Sequence, residues 1–242
     1  MSELMNMVGA VMREDADALR VTANNVANAN SVAYRRQVQV KHLDFASVAA
    51  GAHSATASEF QLPQTQVAVD TRTGTLRSTG EPLNVALQGE GYFVVDTAQG
   101  QMLTRRGDFH VDESGVLSAY TGDPVLGAEG ALHVPDGTLQ IAPDGTVTVG
   151  TATIGHLRVV QPESGTALTE SSNGLLTLPA GQEPTDATAM QVHQGFLETS
   201  NVQPVTEMMH LMESIRHFES GQRYVRAYDD MLDKAINDLG QI

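Results

Sequence analysis

No cysteine occurs among the 242 residues. This excludes a disulfide framework and a thiolate metal site, and leaves the redox compartment open. Basic side chains are scarce: 14 Lys and Arg stand against 29 Asp and Glu, a formal net charge of -15. Between Gly107 and Ile215 the only basic residue other than histidine is Arg158. A nucleic-acid partner is therefore excluded as a reading, because binding one needs cations that displace counterions from phosphate. The same acidity argues against an anionic membrane surface. No stretch approaches the roughly 20 apolar residues of a membrane span, so direct membrane insertion is not expected. Residues 1–20 carry Glu3, Arg13, Glu14, Asp15 and Asp17, which fits neither the basic start nor the apolar run of a secretory signal. The expectation is a protein exported, if at all, without a cleaved signal peptide.

What is present falls into three patterns. At 41% hydrophobic residues the chain can bury a sizeable core. Met5, Met12, Leu19 and Val26 recur every seven residues, with Val8 and Ala16 or Ala23 filling the adjoining positions. This predicts an amphipathic helix from about Glu3 to Ala27 with a seam against another helix. Asn24, Asn25, Asn28, Asn30 and Ser31 then offer side chains that compete for backbone hydrogen bonds, and should close it. Residues 37–76 read as an extended linker segment containing the small-residue stretch Ala49 to Ser58. From Gly74 the period becomes two: Leu83, Val85 and Leu87 alternate, as do Leu132 with Val134, Leu139 with Ile141, Val147 with Val149 and Leu157 with Val159. Together with turns such as Pro135-Asp136-Gly137-Thr138 and Pro143-Asp144-Gly145-Thr146, read as successive hairpin turns, this predicts an all-β barrel or sandwich.

After Pro204 the heptad returns in Leu211, Phe218, Val225, Leu232 and Leu239, joined by Met208, Met212, Ile215, Tyr228, Ala235 and Ile236. A helix from Val205 to Leu239 would extend about 50 Å. Glu219 with Arg223, and Asp230 with Lys234, are acid-first pairs four apart that suit its exposed face. The fold class is thus α+β: a discontinuous helical coiled-coil stem from both ends (1–36 and 200–242) carrying an inserted all-β domain (77–199). Ordinary packing of both helices on the β domain is the competing arrangement, and length and strict heptads weigh against it.

Chemistry is harder to find. His210 and His217 are seven apart, where two imidazoles sharing one ion need four. Gly89-Glu90-Gly91 starts like a dinucleotide loop, but Val94 occupies the place of the third glycine and no phosphate-cradling helix follows. Arg35-Arg36 and Arg105-Arg106 read as surface charges rather than an anion site. Asp229 and Asp230 are adjacent on a helix and point apart. No catalytic residue, no cofactor and no metal site is assigned, and an enzyme is not expected.

Several blocks carry a resemblance. Ala23-Asn24-Asn25-Val26-Ala27-Asn28-Ala29-Asn30 with Tyr34-Arg35-Arg36 resembles the amino-terminal signature of bacterial flagellar rod and hook proteins. Similar too are Thr79 to Val95, including Gly89 and Gly91, then Leu103-Thr104-Arg105-Arg106-Gly107-Asp108-Phe109, then Gly195 to Val202 with Asn201, and the closing stretch Glu219 to Leu239. Gly122 to Gly127, followed by Val134-Pro135 and Ile141 to Val147, points to the proximal-rod branch of that family, with the distal-rod branch next. One departure is Val32-Ala33 where relatives commonly carry Thr-Gly, so that turn should differ locally. The resemblance implies a structural subunit of the basal-body rod, exported by the flagellar type III apparatus and located in the periplasmic part of the shaft. It implies other rod proteins, proximal and distal, and further copies of itself as partners. The seam residues Met5, Met12, Leu19, Val26, Leu211, Ile215, Phe218, Val225, Leu232 and Leu239 would form the assembly interface. A periplasmic ligand-binding β protein and a wall hydrolase are the alternatives from other classes.

Overall fold

The computed structural model describes residues 2–42, 64–163, 168–171, 174–178, 182, 184–187 and 190–239. The small-residue stretch Ala49 to Ser58 lies outside them. The architecture is α+β: one helix near each end, α1 (Ser2–Ala27) and α2 (Pro204–Leu239), with strands between. The chain divides into two compact units, one of residues 1–27, 37–67 and 203–242, the other of residues 28–36 and 68–202. Residues 28–36 thus group with the β-rich part and residues 37–67 with the helices, whereas the heptad boundaries had placed 1–36 together and 37–76 apart. The reason lies in hydrogen bonds of residues 33–36, which tie them to Asp70, Glu198 and Asn201.

In the helical unit α1 stops after Ala27, where asparagines succeed one another. Among its less exposed positions, Met5, Val8, Met12, Asp15, Leu19, Thr22 and Val26 form a series alternately three and four apart. Asp15 and Thr22, not the exposed Ala16 and Ala23, fill the adjoining positions. On α2 the corresponding positions are Glu207, Leu211, Ser214, Phe218, Gly221, Val225 and Tyr228. Asn25 meets Glu207, and a Cβ placed on Gly221 would lie 3.2 Å from Met12 Cγ. The helices therefore run antiparallel, and glycine permits their close approach. Strand Gln37–His42, paired with Gln64–Val69, packs on α1.

The β-rich unit is built on a six-stranded antiparallel sheet in the order 169–170, 175–177, 100–104, 92–97, 159–161, 185–186. Strand Tyr92–Thr97 is central and covered on both faces. Phe93 and Val95 enter the larger core with Val85, Leu87, Leu117, Val147 and Leu157. Tyr92 and Val94 enter a second core with Leu103, Val160 and Leu176. Burial on both faces explains why this strand is a continuous apolar run instead of alternating. Phe93 and Phe109 meet edge to face, with ring centres 5.0 Å apart.

The alternating pairs named from sequence all supply the larger core, through strands such as Leu139–Ile141 and Thr146–Val149. Those two strands are joined by Pro143-Asp144-Gly145, where Asp144 Oδ1 accepts the Thr146 N–H at 2.9 Å. That bond holds the Asp144 carboxyl below the usual aspartate range. Pro135-Asp136-Gly137 closes no such hairpin: it leads into Leu139–Ile141, and the preceding strand Gly130–Ala131 pairs with Leu126–Gly127. The two similar tetrapeptides do different jobs because a turn becomes a hairpin only when strands of matching register flank it.

Candidate assembly interface

Each unit holds one polar knot at which distant segments are tied, and both involve motif residues. In the helical unit Asn25 is buried near the end of α1. Its side-chain oxygen accepts the Gln37 N–H at 2.8 Å, and its NH2 donates to Gln37 O at 2.9 Å and to Glu207 Oε2 at 3.1 Å. One amide thus pairs with the strand after α1 as another strand would, while also holding the first turn of α2. Asn24, its neighbour, is exposed. The acidic side chain of Glu207 also suits the positive end of the helix dipole.

In the β-rich unit Asn201 performs a similar service. Its Oδ1 accepts the Arg36 N–H at 2.7 Å, and its NH2 donates to the carbonyls of Asp70 and Arg72 at 3.1 and 2.8 Å. The Asn201 N–H reaches Tyr34 O at 3.3 Å, and Tyr34 itself is buried. Asn28 turns the chain, its carbonyl accepting the Ser31 N–H at 3.0 Å and its Oδ1 the Ser31 hydroxyl at 3.1 Å. Ala33 then takes φ +52°, the left-handed region that glycine adopts most readily. The alanine does not abolish the turn: its N–H donates to Glu198 O at 2.9 Å and holds the backbone there.

The charges behind this segment correct the reading of Arg35 and Arg105 as surface groups. They are 5% and 3% exposed and share one carboxylate, that of Glu198, itself 2% exposed. Arg35 Nη1 lies 2.8 Å from Glu198 Oε1 and Arg105 Nε 2.7 Å from Oε2. The Gly74 N–H donates to Oε1 at 2.7 Å. Desolvation dominates at Arg35 and pulls its pKa down, against the opposing pull of Glu198. Arg105 also donates to the carbonyls of Leu87, Gly89 and Gly91. The Gly89-Glu90-Gly91 turn therefore wraps a guanidinium and not a phosphate. A side chain at Gly91, φ +144°, would place its Cβ 2.8 Å from Val159 Cγ1, so only glycine fits this cradle.

Among the seam residues, Met5, Met12, Leu19 and Val26 on α1 and Leu211, Phe218 and Val225 on α2 are half-buried where the helices face each other. Ile215 and Leu232 are exposed, and the side chain of Leu239 lies outside the described residues. Met5, Val8, Tyr224, Val225, Ala227, Tyr228 and Met231 line an apolar groove of about 520 Å³ between α1 and α2. Among the described residues no group of three or more His, Cys, Asp or Glu is placed to hold a metal, and no helix is long and apolar enough to cross a membrane. His210 and Glu213 lie 4.0 Å apart on the exposed side of α2. Sequence reading missed Glu198 as the counter-charge of two arginines. Its partner Arg105 is 93 residues away, and no local pattern encodes such a pairing.

The family described as flagellar basal body rod FlgEFG protein C-terminal matches residues 193–239, and the flagellar hook protein FlgE/F/G D1 domain matches residues 86–149. The flagellar basal-body rod protein FlgF of Caulobacter vibrioides is 30% identical over 93% of this chain and 92% of its own length. FlgF of Rhizobium meliloti is 33% identical over 92% and 91%. FlgG of Bacillus subtilis is 28% identical over 93% and 95%. With its terminal helices paired and its β-rich part between them, the chain belongs to the family of flagellar basal-body rod proteins and resembles its FlgF members.

Proposed function

We propose that this chain is a structural, non-catalytic subunit of the flagellar rod, of the proximal FlgF kind, packing through its terminal helices into the shaft that transmits motor torque to the hook. The observation that carries this reading is the solvent-facing apolar surface of the paired helices. Val205, Met208, Met209, Met212, Ile215, Met231 and Leu232 are exposed on α2 although the β-rich unit has cores of its own. Large apolar side chains concentrated on one element mark a surface that another protein covers. The helices would form a coiled-coil stem as the axial core, with the β-rich part as an outer domain. Other rod subunits, proximal and distal, and further copies of this chain are the partners. The type III export apparatus would deliver it to the periplasmic rod.

A second reading, the distal FlgG kind, is favoured by the resemblance to the Bacillus subtilis protein over nearly its whole length. Complementation separates the two. Expressed in a strain lacking its own FlgF, the chain should restore swimming and complete basal bodies. Rescue of a strain lacking FlgG instead would establish the second reading, and rescue of neither would remove the rod assignment.

A further inference from the structure

Ten methionines and no cysteine make thioethers the only sulfur groups of this chain. Three of them, Met208, Met209 and Met212, fall within little more than one turn near the start of α2 and are 49%, 54% and 53% exposed. At about 100° per residue, these three together with Val205 and Ile215 lie within about 120° of the helix surface. This flank is continuous with the contact between α1 and α2, because Met208, Met212 and Ile215 each follow a seam position, Glu207, Leu211 and Ser214. Met102, in the core of the β-rich unit, is 7% exposed and offers an internal contrast.

An unbranched thioether adapts to neighbours of different shape, which suits a surface that meets more than one kind of subunit. The same sulfur is open to oxidation, and its susceptibility follows exposure. We propose that Met208, Met209 and Met212 form a methionine-oxidation site, at which a peroxide-class oxidant converts the stripe to sulfoxides and so prevents docking on the apolar helix face of a neighbouring rod subunit. The inference rests on the stem-packing reading above.

In the step, a sulfur lone pair attacks one peroxide oxygen. The O–O bond breaks as the S–O bond forms, sulfur gives up two electrons, and the second oxygen leaves as water after taking the proton that the sulfur-bound oxygen gives up. The sulfoxide oxygen is a strong acceptor, and an apolar helix face offers it no donor. Once the flank is covered by a neighbour the sulfurs are shielded, so oxidation acts on subunits before they assemble and spares those already in place.

The test uses the purified full-length chain, treated with hydrogen peroxide and mapped by peptide mass spectrometry. Met208, Met209 and Met212 should oxidise at least about fivefold faster than Met102. Treated and untreated chain are then crosslinked to a purified FlgG rod protein, beside the variant M208L/M209L/M212L, which keeps the apolar surface and lacks the sulfur. Oxidised wild type should lose about tenfold in capture. The leucine variant should keep its capture through the same treatment, and methionine sulfoxide reductase should restore the wild type. Undiminished capture by the oxidised wild type, or equal loss in the leucine variant, overturns this proposal alone. No capture by the untreated chain overturns the packing reading and the proposal with it.

Discussion

Two guanidinium groups around one buried carboxylate make position 198 unusually intolerant of neutral substitution. Removing one partner of a buried ion pair leaves charge without compensation, at a cost of about 3–5 kcal/mol. Glu198→Gln strands both Arg35 and Arg105, and equilibrium urea unfolding should show a loss in at least that range. Arg105→Met should be worse than Arg35→Met, because Arg105 alone serves the carbonyls of Leu87, Gly89 and Gly91. At the neighbouring turn the backbone decides the outcome. Ala33 sits at φ +52°, where a β-branched side chain is a severe outlier. Ala33→Val should therefore destabilise by about 2 kcal/mol or more, while Ala33→Gly stays within about 1 kcal/mol. Equal effects of the two changes would show that the left-handed turn is not what constrains this position.

At the level of single elements, α2 carries two kinds of apolar residue, and substitution separates them. Phe218 is half-buried against α1, whereas Leu232 is exposed in the chain taken alone. Leu232→Asp should leave thermal unfolding and circular dichroism of the isolated protein close to wild type, since exposed sites usually shift stability by no more than about 0.5 kcal/mol. In cells it should abolish swimming, because packing would take that charge out of water without a partner. Phe218→Asp should damage both the isolated helix pair and assembly. Swimming cells with intact rods carrying Leu232→Asp would exclude Leu232 from the interface. The strands behave differently from the helices: Tyr92–Thr97 has apolar cover on both faces, so its folding does not wait for a partner.

For the molecule as a whole, this contrast predicts uneven stability. The β-rich unit buries two apolar clusters, while the helical unit leaves a long apolar stripe in water. Native-state amide exchange on the isolated chain should place the slowest amides in residues 92–97 and 100–104, with exchange along α2 faster by about tenfold or more. Uniformly slow exchange from Pro204 to Leu239 would mean that the helix pair needs no neighbour for its stability. Incorporation into basal bodies should then slow exchange in α2 more than in the strands, because binding stabilises what it covers.

The sequence by itself determined the element types and the order of the chain: a heptad of methionine, leucine and valine before Ala27, period-two strands after Gly74, and a heptad again after Pro204. Those periods arise from local backbone geometry, 3.6 residues per turn against two per pleat, and so are legible within a short window. The turn at Ala33 was suggested only by the family resemblance, since an alanine does not itself signal the positive φ it adopts. What only the tertiary structure decided is where charge could be buried and which segments belong together. Arg35, Arg105 and Glu198 look like ordinary surface residues until three distant segments meet. Asn25 and Asn201 differ from the exposed Asn24 only through the backbone groups brought to their amides. Burial of a charge depends on a counter-charge arriving from elsewhere in the chain, and no local period records that meeting.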